Sequence, residues 1–451
     1  MIDFSVLIHP LLFICNMAHY QYKPKVIKAW AFYDWANSVY SLVISTAIFP
    51  IYYNSVTTVN GSDQIEFLGA TFTNTSLYSY ALSTSFFLVA LMSPLLSGVA
   101  DFSGRKKSFL RRFCYVGALS CGALFFFDDV DMIWLALLAS ILASVGFWGS
   151  QVFYNAYLPE IAPRRLQDKV SARGYSLGYL GSSLLLILCL ALIEGHSFIG
   201  LEKSFATRLS FLLVGAWWAL FAQITFRNLP EPKERKSIKW RTLTNGYREL
   251  RKFWVQLKKL GVLRKYLVAF FFFSMGVQTV ILLASVFGQK ALGLSTLQLI
   301  STILIIQFLG ILGAVLFSKI SEKIGNFKGL VLAIIIWLGI CGGAFLLQRS
   351  DPHVAIKFYI LGGTVGLVMG GIQSLARSTY SKMLPEKGEH TTYFSFFDVT
   401  EKMAIVLGTF AYGFIEQMTG DMHYSALTLG VFFLLALLAM FYLKSSERIS
   451  M

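Results

Sequence analysis

About twelve stretches of some twenty apolar residues run along this chain, and no other feature limits its fold so tightly. As a helix, each is long enough to cross the about 30 Å hydrocarbon core of a bilayer. They lie near 29–53, 77–100, 113–127, 132–157, 174–193 and 207–227, then near 266–288, 299–317, 329–348, 357–381, 396–418 and 424–443. The third is short unless it takes in flanking residues. Charged residues make up 14% of the 451, against about 25% in soluble domains. That cannot coat a water-facing surface of this size. An ordinary cytosolic enzyme, a disordered chain and a secreted disulfide scaffold are excluded. The expected fold is an all-α polytopic membrane protein with twelve transmembrane helices.

The net charge of +15 would point to nucleic acid in a soluble protein, so the positions of the 39 Lys and Arg matter. If the chain starts in the cytoplasm and alternates, the inner segments hold 34 of them. The outer side holds five: Lys203, Arg208, Lys290, Arg349 and Lys357. This asymmetry follows the positive-inside rule and predicts that both termini are cytoplasmic. The bases then face anionic lipid headgroups, and no nucleic acid is needed. The opening MIDFSVLIHPLLFICN has no basic start and is too short to span, so the natural start is expected at Met17. The five Cys and six His show no metal-ligand spacing, and no metal or cofactor is expected.

The longest polar stretch, 228–265, divides the spans six and six. The expected organisation is a cytoplasmic segment 1–28, a six-helix bundle 29–227, a basic linker 228–265, a second bundle 266–443 and a tail 444–451. In the linker, Leu250, Phe253, Trp254, Leu257 and Leu260 recur at helical spacing among bases, as in a helix lying on the inner membrane surface. The halves repeat. ADFSGRKK at 100–107 corresponds to ISEKIGNFK at 320–328, and LPE recurs at 158–160 and 384–386. Parallel repeats of this kind are a known transporter plan.

Polarity sorts with position in each half. Spans three, six, nine and twelve are nearly pure apolar and are expected to face lipid. Spans one, four, seven and ten carry Asp34 and Asn37, Gln151 and Asn155, Gln278, and Gln373 and Arg377, near three- or four-residue spacing. Polar groups at membrane depth normally face a bundle interior or a water-filled cavity, which makes these seven the expected lining of a substrate or proton pathway. Asp34 could carry protons or hold a substrate amine. It could equally be an acid near a helix start, stabilised by the helix dipole and Lys28. Arg377 could clamp a carboxylate, or snorkel to the headgroups, the reading its place near the span end favours. Asp398 and Lys402, four apart at the start of span eleven with Glu401 beside them, read as a gating pair. Gly362, Gly366 and Gly370 form a smooth strip for a neighbouring helix. No GxxxxGK[ST] or HExxH occurs. Neither an enzyme nor ATP use is expected, and energy would come from an ion or solute gradient.

SGVADFSGRKK, at 97–107, resembles the loop motif of the major facilitator superfamily, with Gly98, Asp101, Gly104, Arg105 and Lys106 matching. The resemblance implies that Asp101 helps hold the inner gate shut. The second copy departs from it: Lys319 replaces the Gly and Glu322 the Asp. WAFYDWANSVYS (30–41), VFYNAYLPEIA (152–162), GYSLGYLG (174–181), GGIQSLARSTYSKMLPE (370–386) and FFDVTEKMAIVLG (396–408) look like the vacuole-effluxer-like branch, which includes the yeast autophagy-related vacuolar amino-acid exporter and bacterial members. The resemblance implies a major facilitator fold and alternating access. The expected function is a secondary transporter of an amino acid or similar small solute, working in the export direction and coupled to protons, in the inner (plasma) membrane if bacterial. Uptake of a sugar or peptidoglycan fragment, or a receptor or scaffold that kept the fold, are the alternatives.

Overall fold

The structure is a computed structural model that describes residues 23–231, 260–385 and 390–447. The expected start at Met17 and most of the linker with its interfacial helix lie outside these residues. Among the described residues there are twelve long helices. They are α1 Pro24–Thr57, α2 Asn74–Ser103, α3 Lys106–Ala123, α4 Ile133–Asn155, α5 Gln167–Glu194 and α6 Lys203–Asn228, then α7 Gly261–Lys290, α8 Thr296–Ile324, α9 Asn326–Leu346, α10 Val354–Met383, α11 His390–Thr419 and α12 Met422–Glu447. All but α11, which carries Asp398, Glu401 and Lys402, are long and apolar enough to cross a membrane by length and composition.

Helix ends account for most differences from the spans read in the sequence. The third helix begins at Lys106, and so gains the length its apolar stretch lacks. The eleventh begins at His390, six residues before its apolar run, because the polar stretch HTTYFS packs at the end of the molecule that carries the Lys- and Arg-rich loops. Helix α1 changes pitch: Tyr40–Ile48 is π-helical between α-helical flanks. Pro50 has no N–H to continue the regular ladder, and Thr46 Oγ1 donates to the Ser41 carbonyl five residues back. A small hairpin, β1 Gln64–Phe67 with β2 Ala70–Thr73, departs from the otherwise all-α expectation. Its two-residue turn, Leu68–Gly69, has positive φ at both positions, which matches the twist of the strands.

Two apolar cores form, one from α1–α6 and one largely from α7–α12. The first closes on Trp218 of α6, against which a Cβ on Gly117 would collide. The second closes on Trp337 of α9, stacked on Phe433 of α12. α2 packs on α11, and α5 on α8 and α10, so these helices form the seam between the bundles. The glycine strip of α10 meets α8, its closest neighbour: a Cβ on Gly366 would overlap the Ile306 carbonyl, and one on Gly370 the Gly310 carbonyl. The helices with the strongest polar groups, α1, α4, α7 and α10, are among the most buried. Helices α9 and α12 expose Leu346 and Leu438, and α2 and α8, the least buried of the eleven apolar spans, expose Phe87 and Leu312.

Candidate solute pathway and its gate

Asp34 and Arg377 meet across the seam. Arg377 Nη1 and Nη2 each lie 3.3 Å from Asp34 Oδ2, and Tyr154 donates its hydroxyl to the same oxygen at 2.8 Å. The remaining donors of the guanidinium are taken up too. Nε donates to Ser171 Oγ at 2.9 Å, Nη2 to the Ser171 carbonyl at 2.8 Å, and Nη1 to Asn155 Oδ1 at 3.3 Å. Its face lies 4.2 Å from the Tyr175 ring and 5.0 Å from that of Trp30. Arg377 is 2% exposed and Asp34 4%. Arg377 therefore does not snorkel, and the partner of Asp34 is Arg377 rather than Lys28 or the start of α1. The planar fork suits this site because its N–H groups can be shared among a carboxylate, a hydroxyl, a carbonyl and an amide. The backbone makes room for it: a Cβ on Gly174 of α5 would stand 2.9 Å from Arg377 Nη2 and on top of Asp34 Oδ2.

Beside this bridge lies a small pocket between α5, α7, α10 and α11. Tyr175, Phe270, Phe273 and Phe397 wall it, while Gln278, Gln373 and Glu401 bring polar atoms to it. Gln278 donates to Glu401 Oε1 at 2.7 Å, and Gln373 accepts from the Tyr179 hydroxyl at 2.7 Å. Lys402 reaches Asp398 at 3.0 Å and Glu401 at 3.3 Å, and sits 3.5 Å from the Trp148 ring centroid. Asp398 and Lys402, read in the sequence as a gating pair, form the i,i+4 bridge two to three turns from the start of α11 at His390. Asn37 is fully buried, and its amide has no hydrogen-bond partner among the described residues. Gln151 is half-buried on α4.

On the basic side, polar contacts join the two bundles around the residues expected to form the gate. Gly104, left-handed at φ 67°, ends α2 and turns the chain into α3, with Gly98 buried one and a half turns earlier. Asp101 then reaches the other bundle. It accepts from the backbone N–H of Thr392 at 2.8 Å and of Thr391 at 3.4 Å, and from Thr392 Oγ1 at 3.0 Å. A carboxylate on these first-turn amides caps α11 and complements its dipole. Lys106 pairs with Glu160, which also lies 3.2 Å from His390 Nδ1. Arg105 starts α3, and its Nε has no partner among the described residues.

The second copy of the loop reverses the chemistry. Glu322, the residue matched to Asp101, pairs with Lys169 at the surface. The buried acid is Asp168 on α5, which accepts from Ser321 Oγ at 2.9 Å, Asn326 Nδ2 at 2.8 Å and Lys382 Nζ at 2.6 Å. In one half the loop brings the acid to a helix start; in the other the loop brings donors to a helix-borne acid. Among the described residues, no hydrogen bond or ion pair joins the bundles on the far side.

The family model described as "Vacuole effluxer Atg22 like" matches residues 22–449. The chain belongs to this family. Among relatives of the effluxer-like family, the "Uncharacterized MFS-type transporter YxiO" of Bacillus subtilis is 29% identical over 413 residues, covering 91% of this chain and 92% of that protein. Autophagy-related protein 22 of Kluyveromyces lactis is 25% identical over 464 residues, with the same coverage. The human organic anion transporter MFSD10 aligns at TM-score 0.70 with 13% identity, over 93% of this chain and all of that one, which gives the major facilitator fold. This effluxer-like protein is thus a multi-pass membrane transporter, not an enzyme.

Several residues of the site carry no mark in the sequence. Tyr154, Ser171 and Asp168 are ordinary residues until α10 and α8 are laid against them. The spacing of Gly174, Gly178 and Gly181 on α5 was the available signal, since it marks a face that another backbone must approach closely.

Proposed function

We propose that this protein exports an amino acid or a similar amine-bearing metabolite from the cytoplasm, coupled to protons, with its basic side inward and, in a bacterium, in the inner membrane. The carrying observation is the pocket beside the Asp34–Arg377 bridge: aromatic walls, two amides and one carboxylate, Glu401, with no unengaged guanidinium. Aromatic faces and a carboxylate suit an ammonium group. Asn37, Gln151 and Asn155 complete the pathway on the opposite bundle. Asp34 is the coupling residue: a proton on it cancels its ion pair with Arg377 and loosens the seam, so proton occupancy biases the two access states. Gly98, Asp101, Gly104, Arg105, Lys106 and Glu322 form the inner gate that closes in the state described.

Proteoliposomes test this with labelled amino acids, sugars and nucleosides under an imposed pH gradient. Gradient-driven flux of an amino acid is expected, and Asp34→Asn should abolish driven flux while leaving exchange. Flux indifferent to the gradient would remove proton coupling, and unchanged driven flux in Asp34→Asn would clear Asp34 of the role.

A further inference from the structure

Arg377 and Lys402 are both buried between the bundles, and they are held in opposite ways. Arg377 is committed: all of its nitrogens donate, and its counter-ion is Asp34. Lys402 of α11 is a point charge on a flexible stem, which can pass from one anion to another without rebuilding a planar set of bonds. It is 1% exposed, and its Nζ lies 3.0 Å from Asp398 Oδ1 and 3.3 Å from Glu401 Oε2. The ring of Trp148, on α4 of the other bundle, faces it with its centroid 3.5 Å away. Carboxylates and an aromatic face are the surroundings that any ammonium group favours. Here the chain's own side chain occupies them.

The charges of this cluster do not balance. Asp398 and Glu401 are two acids against one base, and the Gln278 amide that donates to Glu401 Oε1 at 2.7 Å is neutral. Asp398 Oδ2 is buried without a hydrogen-bond partner among the described residues. Burying an unbalanced charge is costly, so the cluster is suited to one more cation. The two acids differ in access: Glu401 lines the pocket beside the bridge, whereas Asp398 is buried outside that lining.

We propose that Lys402 is a resident stand-in for the ammonium group of the solute: an amine entering the pocket takes Glu401, and Lys402 withdraws to Asp398. This rests on the reading that the pocket receives an amine. With the amine in place, two ammonium groups meet two carboxylates and the charge excess is gone. Before it arrives, Lys402 keeps Glu401 from being a stranded anion. Because Lys402 also touches Trp148, its withdrawal is felt in the first bundle, which ties solute occupancy to the seam.

The test uses the full chain in nanodiscs and three primary amines, propylamine, 3-methylbutylamine and 2-phenylethylamine, each paired with the alcohol of the same skeleton. Binding is read from the shift of the unfolding midpoint with ligand concentration. The amines are expected to bind more tightly than their alcohols, and Glu401→Gln to remove that preference. Lys402→Met, or Lys402→Gln if the first does not fold, should tighten amine binding about tenfold, the scale of one hydrogen bond to a charged group, and leave the alcohols unchanged. Asp398→Asn should weaken amine binding, because Lys402 then has no second anion, and Asp398→Asn/Lys402→Met should regain it. A merely structural pair would not show that reversal. A second readout leaves the cluster intact: with 5-fluorotryptophan incorporated, the fluorine resonance that is missing in Trp148→Phe should move on adding an amine and not on adding its alcohol. Amine binding that is unchanged or weaker in a folded Lys402 variant, or that leaves the Trp148 resonance in place, would overturn the displacement while leaving the amine pocket standing. No preference for amine over alcohol in the native chain or in any variant would overturn both.

Discussion

Arg377 forgoes the membrane surface for a partner in the other half of the molecule, and the energetics of that choice can be tested. A buried ion pair contributes little net stability, but removing one member leaves a stranded charge that costs about 3–5 kcal/mol. Arg377→Gln should therefore destabilise the protein by about that amount in a detergent unfolding assay, and Asp34→Asn/Arg377→Gln should unfold at a higher midpoint than Arg377→Gln alone. A double variant no more stable than the single one would mean that the two groups are not coupled. Gly174→Ala should damage the same bridge without touching either charge, because its methyl group would occupy the space of the carboxylate oxygen. Driven flux in that variant should fall at least as far as in Asp34→Asn.

Among the elements, helix ends make the contacts of the proposed gate. Asp101 caps α11, and loss of such a cap costs about 0.5–2 kcal/mol. Asp101→Ala should shift the resting population toward an open basic side, read as faster thiol labelling of a cysteine placed at Ser274 in the pocket beside the bridge. Asp168→Asn should have a similar effect, since the acid holds Ser321, Asn326 and Lys382 together. Slower labelling in either variant would contradict the locking role. The helices were legible in the sequence because apolar runs of membrane length leave little choice of fold. Their ends were less so: the first turns of α3 and α11 are polar, and hydropathy stops where capping and packing take over. The hairpin at 64–73 was missed because four-residue strands carry too little alternation to stand out. Asp34, Gln278, Gln373 and Arg377 could be picked out as polar residues in apolar runs. Asp168 could not, since it sits among charged residues at a helix start and only the fold buries it.

At the scale of the whole molecule, polar contacts among the described residues join the bundles on one side and not on the other. The cross-bundle pairs on the basic side include Asp101 with Thr392, Glu160 with His390, and Lys169 with Glu322. Linking cysteines at Lys169 and Glu322 with a short bifunctional reagent should stop transport, and cleaving the linker should restore it. Continued transport by the linked protein would mean that this seam need not open. The bridge between Asp34 and Arg377 also bears on how the chain is made. The two residues are 343 positions apart, so six helices are synthesised, and three more follow, before the guanidinium exists. Through that interval the nascent first half holds a carboxylate at membrane depth with only the Tyr154 hydroxyl beside it. The same substitution should then have opposite effects at different stages of synthesis. Asp34→Asn should ease insertion of the first half expressed alone, yet deprive the finished protein of the counter-charge that holds Arg377.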